Sequence, residues 1–243
     1  MEGESKLDKS PELAHRLRDV PTSDAKDLLA ELGVLRVTMA GVTRRTGQHS
    51  IAGPARTLRM LPLRDDLGPA PNGPLNRQFI DSAASGDILV IDAMAASRGA
   101  VLGDMMATRL RYCGVAGVVT DGRIRDRDGI DRVGLTVFAS GTDPDANRHW
   151  MTPWEIDVAI QCGGVLVLPD DWVLADSDAA VVIPAKLVAT IVERYEARKS
   201  RDAFSQALLT AGHPLDESYP LPEARAADLE AFLASGTVPP RSS

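Results

Sequence analysis

Apolar positions along this chain fall into two patterns, continuous runs of strand length and stripes at helical spacing, with Gly, Pro and Asp between them. Residues 88–92 (Ile-Leu-Val-Ile-Asp) and 117–120 (Gly-Val-Val-Thr) are unbroken runs, as expected of strands buried on both faces. Residues 136–139 predict a third such strand, and the alternation over 57–61 predicts another. Between the first two runs Asp104 stands where it can cap a helix over 105–112. The resulting β-α-β-turn-β order predicts an α/β fold.

The flanks read as helices. Ser10-Pro11-Glu12 opens one, with Leu13, Leu17 and Val20 at helical spacing, and Thr22-Ser23-Asp24 offers the cap of a second that carries Leu28, Leu29 and Leu32 and stops at Gly33. Residues 36–53 predict a short strand plus loop, 62–74 a long loop dense in Pro, Gly, Asp and Asn, and 75–84 a helix. Residues 142–154 lack a period and read as loop. Four short runs at 158–161, 165–168, 172–175 and 181–183 predict a tight β meander. Pro184 then opens an amphipathic helix with Leu187, Val188, Ile191, Val192 and Tyr195 on one side. Ser200 caps another that stops near Gly212, a last helix covers 222–234, and 236–243 form a loose end. No period of repeat length recurs, which excludes a solenoid or propeller.

Composition narrows the function classes. The 243 residues carry a net charge of −7 and 4% aromatics, with no Lys/Arg stripe interleaved with rings, so nucleic-acid binding is disfavoured. Cys113 and Cys162 form neither a disulfide framework nor a metal-binding pair, and fit a reducing cytoplasm. The chain is charged from Glu2 onward, and no apolar run approaches the roughly 20 residues that cross a bilayer, so a soluble, cytoplasmic protein is expected.

Candidate chemistry sits where apolar runs end. In Gly103-Asp104-Met105-Met106-Ala107, the free amides of a helix's first turn would seat a carboxylate or phosphate. After the strand at 117–120, Asp121-Gly122 turns the chain towards Arg125, which can fork onto a carboxylate, and Asp126, which can hold a hard divalent cation. The plainer readings are two surface charges after a turn and a simple helix cap at Asp104. Chain order favours one cleft holding all three. His15, His49, His149 and His213 show no ligand spacing. Both cysteines read as small core residues, and neither a GxSxG elbow nor a GxxxxGK loop is present. Asp176-x-Asp178 could bind a cation, although turn formation is the commoner role of such a pair.

Taken together, Gly86-Asp87-Ile88-Leu89-Val90-Ile91-Asp92, Gly103-Asp104-Met105-Met106-Ala107, Gly117-Val118-Val119-Thr120-Asp121-Gly122-x-x-Arg125-Asp126 and Cys162-Gly163-Gly164-Val165 resemble the RraA-like family. Gly53-Pro54-Ala55 agrees, and the likeness spans residues 22–184. The resemblance implies an α-β-β-α sandwich with extra N- and C-terminal helices: a helical extension over 1–21, the family domain over 22–199 and a second extension over 200–243. It also implies a trimer or a pair of trimers with active sites between subunits.

The family includes class II pyruvate aldolases acting on 4-hydroxy-4-methyl-2-oxoglutarate and 4-carboxy-4-hydroxy-2-oxoadipate, and a regulator that inhibits ribonuclease E. Carried onto this chain, the resemblance gives Arg125 the pyruvyl group and Asp126 a Mg2+ or Mn2+ ion. It gives Asp104 a metal-bound water, and Gly103, Asp104, Met105 and Met106 the substrate carboxylate. Two turns depart from the pattern, Pro169-Asp170-Asp171 for Pro-Gly-Asp and Asp178-Ala179 for Asp-Gly, and Glu193 and Glu196 are the candidates for a glutamate given to a neighbouring subunit. The expected activity is a carbon–carbon lyase releasing pyruvate from a 4-hydroxy-2-oxo acid, with oxaloacetate decarboxylation on the side. The alternatives are a non-catalytic regulator binding a ribonuclease or other protein, and a metal-dependent dehydratase or hydrolase of a sugar-derived 2-oxo acid.

Overall fold

The computed structural model describes residues 9–67 and 71–240. The charged stretch from Glu2, positions 68–70 of the long loop and the last three residues of the loose end lie outside them. The chain divides into two compact units, Met1–Ile191 and Val192–Ser243.

Helix α1 (Pro11–Arg18) begins as its sequence predicts: Pro11 takes the first helical position and Ser10 Oγ accepts the Leu13 amide at 3.2 Å. In α2 (Thr22–Glu31) the expected local cap is replaced by a distant one. The Thr22 amide and hydroxyl donate to the Asp176 carboxylate at 2.9 and 2.7 Å. That carboxylate also accepts the amides of Asp178 and Ala179, so turn formation accounts for the Asp176-x-Asp178 pair. Burial alone would raise the Asp176 carboxyl, but these hydrogen bonds outweigh it and hold it below the ordinary range.

The main sheet has eight strands, and where 36–53 predicted a strand and loop it begins with β1 (Thr43–Thr46) and β2 (Ile51–Pro62). Helix α3 (Leu75–Asp81) is shorter than predicted; β3 (Ile88–Asp92) has the predicted limits. Then follow β4 (Ala100–Leu102), α4 (Asp104–Cys113), β5 (Gly117–Thr120), β6 (Arg123–Ile124), α5 (Arg127–Val133), β7 (Val137–Ala139) and β8 (Gly141–Thr142). The stretch read as loop over 142–154 contains most of β9 (Met151–Ile156), which admits Pro153 beside a bulge in β9 itself, where Trp154 is the extra residue opposite the Arg59–Met60 step of β2.

The predicted meander is two separate hairpins. β10 (Ile160–Cys162) and β11 (Val165–Val167) form their own two-stranded sheet, whereas β12 (Trp172–Ala175) and β13 (Ala180–Ile183) join the main one. The main order is β1-β7-β5-β3-β2-β12-β13, with β9 also on β2. β2, β3, β5 and β7 are mutually parallel; β1, β9 and β12 run antiparallel to their partners.

The continuous apolar runs are continuous because both faces are covered. Leu89, Ile91, Val118 and Val137 pack with Phe79, Leu110 and Ile130 of α3, α4 and α5. Ile88, Val90, Val119 and Phe138 face Val165 and Val167 of the β10–β11 hairpin together with Val173 and Val182. Each such side chain contributes about 1.5–3 kcal/mol on burial. On the outside α1 packs on β2 and α2 on β13, which completes a mixed α/β layering.

Helix α6 (Val188–Thr210) starts in the first unit and ends in the second without a break at Ser200, since a serine inside a helix is tolerated when its neighbours are helix formers. In the second unit the rings of Phe204 and of Phe232, on α7 (Ala226–Ser235), lie 5.1 Å apart, and His213 Nε2 meets the Pro239 carbonyl oxygen at 3.0 Å. Among the described residues no helix is long and apolar enough to cross a membrane.

Candidate active site

Three very short strands position the candidate residues. β4, β6 and β8 make a parallel sheet in that order, and β4 and β6 each run straight into a helix, α4 and α5. The crevice beyond the carboxyl ends of adjacent parallel strands is where open α/β sheets expose helix N-termini. Here the Arg125 amide donates to the Leu102 carbonyl and the Asp143 amide to the Ile124 carbonyl, both at 3.0 Å, which pins the strand ends in register. Gly103 therefore leaves one strand beside the point where Arg125 leaves the next.

The helix start differs from expectation. Gly103, extended at φ −134 and ψ 178, is the cap of α4, and Asp104 is its first helical residue; no side chain caps the helix. A short polar cap side chain would fill the space that Arg125 and Asp126 occupy. A Cβ built on Gly103 would lie 2.8 Å from Asp126 Oδ2 and 3.2 Å from Arg125 Nε. The glycine is thus a notch into which both side chains settle, and the first-turn amides of Asp104, Met105 and Met106 remain available to an anion.

Asp126 is held in the left-handed region at φ 56 and ψ 38 as the cap residue of α5. Asp tolerates this at a cost of order 1 kcal/mol. Its side chain makes no capping bond and instead turns to Arg125, Nε to Oδ2 at 3.4 Å, with both side chains a little under half exposed. Such an exposed pair adds little stability. Its effect is to orient the guanidinium. Asp104 is buttressed from the other side: a Cβ on Gly129 of α5 would lie 2.7 Å from Asp104 Cβ and 2.8 Å from its Oδ2, so the two helices touch at this point.

All six candidates from the sequence, Gly103, Asp104, Met105, Met106, Arg125 and Asp126, line one cavity of about 320 Å³. Arg77 from α3 and Arg148 from the segment before β9 line it too, and sequence reasoning missed both. The only signal they carried was positive charge. With three guanidiniums against two carboxylates, the wall suits an anionic ligand. Among the described residues no three His, Cys, Asp or Glu side chains are grouped so that they could hold a metal ion by themselves. Asp104 and Asp126 nonetheless supply hard oxygen donors, and Mg2+ is commonly held by one or two carboxylates with waters and ligand oxygens completing the shell. The residues present therefore fit such an ion.

Behind the cavity Asp121, 1% exposed, accepts the amides of Ala93 at 2.8 Å and Ala95 at 3.1 Å and the Gln161 side-chain amide at 2.8 Å. Gln161 also donates to Asp92 at 2.6 Å. These bonds fix a segment in which Met94 and Ala95 adopt φ 58 and 52, and which leads into β4. The sequence showed Asp121 only as a turn former. Burial pushes the Cys162 thiol well up, and the neighbouring Asp121 charge adds to the effect, which leaves it inert; Cys113 is half-buried. Glu193 and Glu196 lie on α6 in the second unit. Of the two departing turns, Asp170 adopts φ 72, a conformation that favours the family's glycine, and it pairs with Lys9 at 2.6 Å.

The RraA-like family model, described as Aldolase/RraA, matches residues 22–182. A 4-hydroxy-4-methyl-2-oxoglutarate aldolase of Thermus thermophilus is 29% identical over 163 residues, 67% of this chain and 92% of that protein. Among solved structures, Streptomyces coelicolor RraAS2, an unusual member of the RNase ES inhibitor RraA protein family, superposes with a TM-score of 0.75 at 35% identity, covering 81% of this chain and 96% of that one. The RNA-processing inhibitor RraA from Thermus thermophilus gives 0.55 at 28%, covering 68% and 93%. The matched stretch contains the whole cavity wall from α3 to Arg148, and the chain belongs to the RraA-like family.

Proposed function

We infer that this protein is a divalent-metal-dependent carbon–carbon lyase of the aldolase type, cleaving a 4-hydroxy-2-oxo acid to pyruvate and a second carbonyl compound. The observation that carries the reading is the notch at Gly103, which sets a guanidinium and a carboxylate side by side at an uncapped helix start. The aldolase name of the Thermus thermophilus relative supports it.

In this scheme the substrate carboxylate takes the amides of Asp104, Met105 and Met106, and Arg125 forks onto the 2-oxo acid end. Asp126, with Asp104 nearby on the same wall, would hold Mg2+ or Mn2+. When bound, such a cation would supply Lewis-acid stabilisation of the negative charge that develops on the 2-oxo oxygen. As the C4 hydroxyl gives its proton to solvent water, the C3–C4 bond breaks, C4 becomes the second carbonyl, and Arg125 shares the charge left on the pyruvyl fragment. A water hydrogen-bonded at Asp104 returns the proton to C3. Oxaloacetate would yield the same fragment by loss of carbon dioxide.

We further propose that the site is completed by a second copy of the chain in a trimer or hexamer. Met105, at the cavity's edge, is 79% exposed, and Tyr112, seven residues on along α4, is 83% exposed.

The test is pyruvate release by purified protein given Mg2+ and 4-hydroxy-4-methyl-2-oxoglutarate, followed through lactate dehydrogenase. Chelator-sensitive pyruvate is expected; none from several 4-hydroxy-2-oxo acids or oxaloacetate would overturn the lyase reading. A second reading, a regulator of RNA processing, is favoured by the 35% identity to RraAS2, and inhibition of a ribonuclease by protein that releases no pyruvate would establish it.

A further inference from the structure

A larger cavity, about 550 Å³, opens at the opposite ends of the parallel strands. It is lined by Gly86 just before β3, Ala116 just before β5 and Thr136 just before β7, whereas the candidate active site lies beyond the carboxyl ends of β4 and β6. Its rim carries Lys9, His15, Arg18, His49 and Arg111, and among the described residues neither Asp nor Glu lines it. In a chain of net charge −7 this is a local reversal of sign. The floor is apolar, formed by the buried side chains of Ile51, Val115 and Leu135.

The plainest explanation of the charges is helix-dipole complementation, since His15 and Arg18 sit in the last turn of α1 and Arg111 in the last turn of α4. That explains why each helix ends in a cation but not why two helices aim them at one cavity together with His49 from the β1–β2 turn. Lys9 is paired with Asp170, yet Arg111 makes no ion pair or side-chain hydrogen bond among the described residues. Arg18 donates to His15 Nδ1 at 2.6 Å, so His15 accepts there and carries its proton on Nε2, where it can donate to a ligand. Cations gathered on one rim, Arg18 and Arg111 above all, repel one another, and an anion between them removes that repulsion. Among the described residues no Phe, Tyr or Trp lines the cavity, so it lacks the large-ring platform on which single-strand binders stack bases.

We propose that this cavity is a second ligand site, separate from the candidate active site, for a small organic molecule carrying two or more phosphate or carboxylate charges on a partly apolar body. Its volume lies within the range of small-molecule pockets. Three of its five basic side chains, Lys9, His15 and Arg18, precede residue 22, where the family match begins, so the N-terminal extension supplies much of the basic rim while the rest of the lining comes from the matched domain. The proposal stands whether or not the protein is a lyase.

The experiment is isothermal titration calorimetry of the full chain, free of divalent cations and at low salt, with pyrophosphate, citrate and, as a monovalent control, acetate. Pyrophosphate or citrate is expected to bind once per chain and acetate far more weakly; which of the first two binds tighter separates a phosphate from a carboxylate ligand. Arg18→Ala and Arg111→Ala are each expected to weaken binding about tenfold, while Arg125→Ala, in the other cavity, leaves it unchanged. Circular dichroism checks folding, with Arg18→Gln and Arg111→Gln as replacements should an alanine variant unfold. The proposal is overturned if neither multivalent anion binds, if the Arg18 and Arg111 variants bind as the parent does, if the loss follows Arg125→Ala, or if only an RNA or an acidic peptide binds.

Discussion

Two glycines touch the candidate active site, and the same substitution at each should have opposite consequences. Gly103 has an extended backbone that alanine adopts without strain, so Gly103→Ala is a purely steric perturbation. Its new Cβ would stand 2.8 Å from Asp126 Oδ2, about 0.6 Å short of ordinary contact at 3.4 Å, and 0.2 Å short of it at Arg125 Nε. Both atoms belong to partly exposed side chains that can swing outward, so the fold gives way little and unfolding free energy should fall by less than about 1 kcal/mol. The functional price is larger: displacing a charge-binding pair by that distance lowers kcat/KM by roughly 10²-fold. In Gly129→Ala the new Cβ meets Asp104 Cβ at 2.7 Å, an atom fixed to the α4 backbone. Here α5 must shift against α4, costing about 1–3 kcal/mol before a gain of up to about 1 kcal/mol from alanine's better helix propensity. Urea unfolding and the pyruvate assay, run on both variants, separate the two cases. A Gly103→Ala protein with parental turnover would refute the notch as the basis of the site.

Other consequences follow from single contacts. Asp176→Ala removes the remote cap of α2 and should lower stability by about 1–2 kcal/mol at neutral pH. Because the folded carboxyl is held below its ordinary value, this contribution is complete above about pH 4 and disappears as pH falls through the folded value, so the variant and the parent should converge in acid; a gap that stayed constant in urea melts down to low pH would contradict the linkage. Asp121→Ala strands the buried amide of Ala93, frees that of Ala95 and should cost about 1–3 kcal/mol, measured by denaturant unfolding, with a loss under about 0.5 kcal/mol counting against its bracing role. In native protein iodoacetamide should label Cys113 and spare Cys162, whose thiol burial pushes up; equal labelling by peptide mass spectrometry would show that the β10–β11 hairpin does not stay packed on the main sheet.

The sequence made legible those elements whose burial is two-sided or whose caps are local. Residues 88–92 and 117–120 were unbroken apolar runs because helices cover one face and a hairpin the other, and Ser10-Pro11 set the start of α1 through its own side chain. The elements that build the site left little trace. β4 and β6 have three and two residues and are defined only by parallel pairing with each other and with β8, so no window along the chain contains their period. Helix α5 carries charge on most of its seven positions and buries only Gly129 and Ile130, which gives no apolar stripe. Asp104 looked like a cap because a capping aspartate and a first-turn aspartate differ by one position, and only the packing of Arg125 and Asp126 against Gly103 decides between them. The remote capping of α2 by Asp176 was beyond any local reading, since the partners are 154 residues apart. The six residues picked from the sequence nonetheless line one cavity, because polar residues at the ends of apolar runs mark strand ends even when the strands themselves are too short to recognise.

The central claim, that Arg125 and Asp126 face the uncapped start of α4 in order to hold a cation-bound 2-oxo acid, is tested most directly by a crystal grown with Mn2+ and pyruvate and measured for manganese anomalous scattering. The account predicts one anomalous peak per site at coordination distance, about 2.1 Å, from the Asp126 carboxylate, with the pyruvate carboxylate on the amides following Gly103 and the Arg125 guanidinium against the same molecule. Manganese bound elsewhere, or pyruvate absent from that helix start, would contradict it.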